Sequence, residues 1–151
     1  MAILVVIHVL SAIIGVGPTY FFPALFRPSL SPADLRGALG IAQRLARYPQ
    51  IGGPLAVVSG ITLVCLIDTH MFTRMWVSGS MALFVAVQVV IIAVAVPATK
   101  KLAAWAFHPS NADAKALTPE AEALYGRLRT AHTIASTLGT ALFALMILKP
   151  T

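Results

Sequence analysis

Four stretches of this chain run from end to end without an acidic or basic residue other than histidine: Ala2 to Phe26, Ile51 to Ile67, Trp76 to Thr99 and Ala131 to Leu148. A helix needs roughly 20 mainly apolar residues to cross ~30 Å of hydrocarbon, and runs a few residues shorter still reach. Backbone N–H and C=O groups in lipid must pair within the chain, which leaves helices and closed barrels as the only spanning forms. No period-2 alternation appears, so the four runs are read as helices. The expected fold is an all-α, integral membrane, antiparallel four-helix bundle occupying one domain, residues 1–151. Composition agrees, since only 11% of residues are charged against about 25% in soluble domains. The first run lacks a basic leader and is longer than a secretory h-region, so it is read as a retained span.

The distribution of charge sets the orientation. Loop one holds Arg27, Arg36, Arg44 and Arg47, and loop three holds Lys100, Lys101, Lys115, Arg127 and Arg129. The other basic residues are Arg74 in loop two and Lys149 near the C-terminus. Basic loops stay in the cytoplasm. Both termini are therefore expected on the non-cytoplasmic side of the membrane. Trp76 and Trp105 suit interfacial anchors at opposite ends of the third helix. The net charge of +6 is accounted for by these flanking loops, and no nucleic-acid partner is expected.

Loop one has structure of its own. Ser31-Pro32 reads as an N-cap and first helical position, with Asp34 in the first turn. Leu35, Leu39, Ala42, Leu45 and Ala46 then share one side, and Arg36, Gln43, Arg44 and Arg47 the other. This predicts a short amphipathic interfacial helix on the anionic inner leaflet, with Arg36, Arg44 and Arg47 toward the lipid surface. Pro49 and Gly52-Gly53-Pro54 are expected to separate it from the second span. In loop three, Thr118-Pro119-Glu120 predicts the start of a helix that runs unbroken into the fourth span.

Each span also carries small or weakly polar residues: His8, Ser11, Gly15 and Thr19; Gly53, Ser59, Gly60 and Thr62; Ser80 and Gln88; His132, Ser136, Gly139 and Thr140. Such stripes let membrane helices approach closely, and these faces are expected to turn inward.

Two imidazoles fall inside the spans. An intramembrane histidine is a functional candidate by default. His8 reads either as a haem or metal ligand or as a neutral ring bonded to a neighbouring hydroxyl or carbonyl. The threading puts His132 near the opposite leaflet, so one iron cannot take both. His132 reads as an interfacial residue, or as a ligand at a separate inner site. A softer donor set gathers toward the outer end, where His8, Cys65, Met75, Met81 and Met146 offer what Cu(I) prefers; methionine is also ordinary core filler. Phosphate loops, dinucleotide fingerprints and nucleophile elbows are missing from the string. No carboxylate lies deep in a span, which disfavours ion-coupled transport. The chain is expected to be non-catalytic.

Three strings carry a resemblance. The first span reads Ile7-His8-Val9-Leu10, then Gly15 and Gly17, and ends Phe22-Pro23-Ala24-Leu25-Phe26. The third opens on Trp76 and ends Val96-Pro97 before Lys100-Lys101. The chain closes Leu145-Met146-Ile147-Leu148-Lys149-Pro150. Over nearly its whole length it resembles a bacterial family of predicted four-span membrane proteins (domain of unknown function, family twenty-two sixty-nine). That family is distantly similar to the protoporphyrinogen oxidases called HemJ and to the membrane part of copper-resistance protein D. The distant resemblance implies a haem-ligand role for His8. HemJ-type enzymes also use a lysine in the third span, and no lysine lies between Trp76 and Thr99; the ground for expecting that oxidation is removed. The readings that follow are a membrane protein binding haem b through His8, an accessory subunit or homo-oligomer without a cofactor in a larger electron-transfer assembly, and a copper-binding protein.

Overall fold

Each charge-free run folds as helix, and the chain departs from straight helix where proline falls. The structure is a computed structural model that describes residues 1–150; no strand occurs among the described residues. Helix α1 (Ala2–Val16) tightens into a 3-10 turn at Gly17–Tyr20 and resumes as the short α2 (Phe22–Leu25). The uninterrupted helix expected to Phe26 is thus broken, because Pro18 has no N–H and its ring crowds the carbonyl four residues back.

Helix α3 (Pro32–Leu45) starts where the cap was read: the Asp34 N–H donates to Ser31 Oγ at 3.1 Å. Only Ala46 separates it from α4 (Arg47–Ile67). The break expected at Pro49 to Pro54 lies a turn earlier. Pro49 falls in the first turn of α4, where its N–H would have no helical partner anyway, and Pro54 is absorbed inside the helix.

The third apolar run forms α5 (Met75–Val90), a π-helical turn at Ile91–Ala95, and α6 (Val96–Ala106). Pro97 is the cause to which the widened turn is assigned, since a straight α-helix would drive its ring into the carbonyl of Ala93. The helix passes the expected end at Thr99 and reaches Ala106. Trp76 and Trp105 are then about 44 Å apart at 1.5 Å per residue, close to the ~40–45 Å thickness of a bilayer with its headgroups. Helix α7 (Pro119–Leu148) is unbroken; Thr118 Oγ1 accepts the Ala121 N–H at 3.3 Å. It ends at Lys149, whose φ of 45° is left-handed and whose Nζ lies 5.5 Å from the centre of the Trp76 ring.

The helices pack first as two pairs, α1 with α4 and α5 with α7. The α1–α4 pair touches backbone to backbone. A Cβ on Gly52 would fall 2.5 Å from the Gly15 nitrogen, and one on Gly15 would fall 2.7 Å from the Gly53 nitrogen. Val16 faces Gly139 of α7 and Phe84 faces Gly53 of α4, which closes the two pairs into a four-helix membrane bundle. Ser136 Oγ of α7 donates at 2.8 Å to the Thr19 carbonyl in the 3-10 turn.

The largest fully buried side chains are Phe26, Leu35, Leu102 and Leu128, all toward the end that carries loops one and three, here the basic end. This placement shows what covers the apolar face of the loop-one helix. The apolar face of α3 is turned into protein, with Leu35 at 0% and Leu39 at 3% exposure, and α3 packs against α6. Because α6 continues beyond Thr99, it supplies a protein surface that competes with the leaflet for that face. Arg36 is half-buried and donates to the carbonyls of Ala106, Asn111 and Ala112 at 3.3, 3.2 and 3.0 Å, placing its charge on the C-terminal end of α6. Arg44 and Arg47 stay exposed.

Candidate functional site

The site begins with one imidazole wedged between two helices. His8 of α1 points at the stretch of α4 from Ala56 to Gly60. Its Nδ1 lies 2.9 Å from the Ala56 carbonyl oxygen and 3.3 Å from Ser59 Oγ. A carbonyl only accepts, so Nδ1 carries the proton and donates, and Nε2 keeps the lone pair. Ser59 directs its own proton at the Leu55 carbonyl, 2.6 Å away, which leaves a hydroxyl lone pair facing the ring. Nε2 makes no hydrogen bond among the described residues, and the ring is half-buried.

Gly60 completes the cradle. A Cβ there would lie 2.8 Å from His8 Cε1 and 3.2 Å from Nδ1, so the ring occupies space that any larger residue would claim. Ala56, Ser59 and Gly60 stand one helical turn apart on one face of α4, as the i, i+3, i+4 relation requires. The sequence marks Ser59 and Gly60 as members of a small-residue stripe. It gives no signal that their shared purpose is to seat His8, nor that the Ala56 carbonyl is the acceptor, because a backbone oxygen leaves no mark in the string.

His132 lies elsewhere. It is 7% exposed and stacks on Phe22, with ring centroids 4.3 Å apart at 21°, and on Phe26 at 5.6 Å. Its Nδ1 is buried without a hydrogen-bond partner among the described residues. Phe22 follows His8 along the same span by about 21 Å at helical rise, so the two imidazoles occupy separate levels. Nearby, Arg129 Nε donates to the Phe26 carbonyl at 3.0 Å and Tyr125 Oη to the Arg27 carbonyl at 2.6 Å, which closes the C-terminal end of α2.

Cys65, Met75 and Met81 are exposed and Met146 is half-buried. No three His, Cys, Asp or Glu side chains converge among the described residues. Asp68 accepts the His70 N–H at 2.9 Å and caps the turn at Thr69–Thr73.

Four helical stretches, Ala2–Leu25, Pro32–Ile67, Met75–Ala106 and Pro119–Leu148, are long and apolar enough to cross a membrane. No curated protein and no solved structure matches the chain. One family model, described as predicted integral membrane protein (DUF2269), matches residues 2–150, and the chain therefore belongs to that family of multi-pass integral membrane proteins.

Proposed function

We propose that this protein is a non-catalytic haem b-binding protein of the bacterial inner membrane, with His8 as an axial ligand and loops one and three in the cytoplasm. The observation that carries the reading is the 2.9 Å contact from His8 Nδ1 to the Ala56 carbonyl. Histidines that bind metal almost always donate their other ring N–H to a carbonyl, a carboxylate or water, which fixes the tautomer and raises the basicity of the free nitrogen. Here the donor is committed, the ring is clamped by Gly60, and Nε2 is free to bind. The residues fit one axial position; His132, at another level, does not supply the second. Bound haem iron would supply one-electron transfer. The chain's part is to hold the imidazole, set its proton and exclude water with the apolar faces around it.

A second reading is an accessory or homo-oligomeric subunit of a larger membrane assembly. Its docking face would be that of α1, which packs on α4 and leaves Ile3, Val6, Leu10 and Ile13 more than half exposed. One experiment separates the two. Protein purified in detergent after loading with haem b should show a Soret band that His8→Ala abolishes and His132→Ala preserves. Gly60→Ala should shift the band, because it displaces the ring. A wild-type protein that takes up no haem, or a His8→Ala variant with an unchanged spectrum, overturns the ligand assignment. Migration of the gently solubilised, haem-free protein only in a larger complex would favour the subunit.

A further inference from the structure

A cleft of about 400 Å³ opens between the π turn and α7, and it belongs to neither histidine. Its walls include Val90, Val94, Gly126, Arg127, Thr130 and Ile134. Two features of the sequence make it. The π turn at Ile91–Ala95 displaces the helix locally, and Gly126 withholds a side chain where a Cβ would meet nothing within 4 Å.

The polarity of the cleft is ordered along the bundle. On α7 the lining begins at Ala123, at the basic end; Arg127 lies one turn in from it, and Ile134 about 10 Å further along α7 toward the terminal end. Lys100, at the other side, stands about 9 Å from Val94 in the direction of Arg127. The cleft thus runs from a charged rim into an apolar groove on the lipid-facing side.

Two polar groups at this rim are uncommitted. Arg36 and Arg129 at the same end donate to backbone carbonyls, whereas Arg127 is exposed and donates to no acceptor among the described residues. On α7, Thr133, Thr137 and Thr140 return their hydroxyl protons to the carbonyls four residues back, at 3.0, 3.0 and 2.9 Å. Thr130, which lines the cleft and is exposed, makes no such bond among the described residues.

We infer that the cleft is a binding site for one acidic glycerophospholipid, its phosphate on Arg127 and the Thr130 hydroxyl and an acyl chain along Val90, Val94 and Ile134. Charge complementarity selects this occupant. A cationic rim above an apolar groove matches the head-to-tail order of an anionic lipid, and basic pockets between membrane helices bind such headgroups.

Native mass spectrometry of the detergent-solubilised full chain, titrated with phosphatidylglycerol and with phosphatidylcholine of the same acyl chains, tests this. Phosphatidylglycerol should be retained preferentially, and Arg127→Gln should reduce that preference about fivefold while Lys115→Gln leaves it unchanged. Gly126→Leu, whose Cβ meets nothing within 4 Å, puts a branched side chain into the groove and should abolish retention of both lipids. Equal retention of the two lipids by the wild type overturns the site, as does an Arg127→Gln variant that behaves like wild type. Displacement by glycerol phosphate would make it a small-anion site instead, and a dimer that Gly126→Leu dissolves would assign the cleft to a second copy; either result sinks the lipid assignment.

Discussion

The residues that decide this structure are mostly those without side chains to speak of. Gly15 and Gly52 are the clearest pair, because each withholds a Cβ from the other's backbone. Membrane helices gain from such contact through packing, since lipid is as apolar as leucine and no hydrophobic drive separates the two environments. Gly52→Ala would place a methyl 2.5 Å from the Gly15 nitrogen and 2.8 Å from the Ser11 carbonyl oxygen. The helices must then part, at a cost of about 1–3 kcal/mol for overpacking. Gly37→Ala and Gly40→Ala are the counter-case: a Cβ at either meets nothing within 4 Å, so relief of helix entropy should stabilise by about 0.5–1 kcal/mol. Thermal unfolding in one detergent should therefore move in opposite directions for the two kinds of variant. The small-residue stripe was legible in the sequence, but the pairing was not. Gly53 and Gly60 stand out seven residues apart, yet Gly52 makes the tightest contact and Gly60 seats His8. Rotation of a helix about its axis is fixed by what it packs on, and a string of apolar residues leaves that angle open.

At the scale of elements, the capped helices were the readable ones. Ser31 and Thr118 each accept the backbone N–H three residues on, which is what their place before Pro32 and Pro119 announces. The prolines inside apolar runs were visible too, but their consequences were not. Pro18 yields a 3-10 turn, Pro97 accompanies a π turn and Pro54 leaves its helix continuous, because neighbouring groups such as Ser136 decide which adjustment satisfies the freed backbone. Helix α3 shows the same limit. Its amphipathic pattern predicts one apolar face, and a pattern cannot say whether lipid or protein covers it, since both are apolar. Burial of Leu35 against protein has a measurable consequence. Leu35→Ala should destabilise the protein by about 2–5 kcal/mol through lost burial and a residual cavity, seen as earlier unfolding and faster proteolysis of loop one in detergent. A helix resting on the leaflet would lose little by that change once the membrane is removed, so an unaltered melting curve would restore the leaflet placement.

For the molecule as a whole, the two ends of the bundle obey different physics. Between the tryptophans the side chains meet lipid, and large apolar residues such as Val58, Val85 and Ile92 stay about 60% exposed at no cost. Lys100 and Lys101 mark where the hydrocarbon should stop, and the dense core of Leu35, Leu102, Tyr125 and Leu128 gathers around and beyond that level. Water is available there, and burial of apolar surface becomes favourable in its own right. The same end carries Arg27, Arg36, Arg44, Arg47, Lys100, Lys101, Lys115, Arg127 and Arg129. Capping a helix does not remove a charge, so Arg36 and Arg129 still count in the charge bias on which the proposed cytoplasmic placement of this end rests. Cys65 is the only cysteine, which makes the orientation testable by single-site labelling. In a Cys65→Ala background, Lys149→Cys in the intact cell should react with a membrane-impermeant maleimide that has crossed only the outer membrane. Ser110→Cys, in the turn at Pro109–Asn111, should react only after the inner membrane is opened. The reverse pattern would invert the bundle. It would also move the acidic-lipid cleft to the outer leaflet while leaving the contact between His8 and the Ala56 carbonyl untouched, because that contact depends on how α1 meets α4 and not on which side of the membrane they begin.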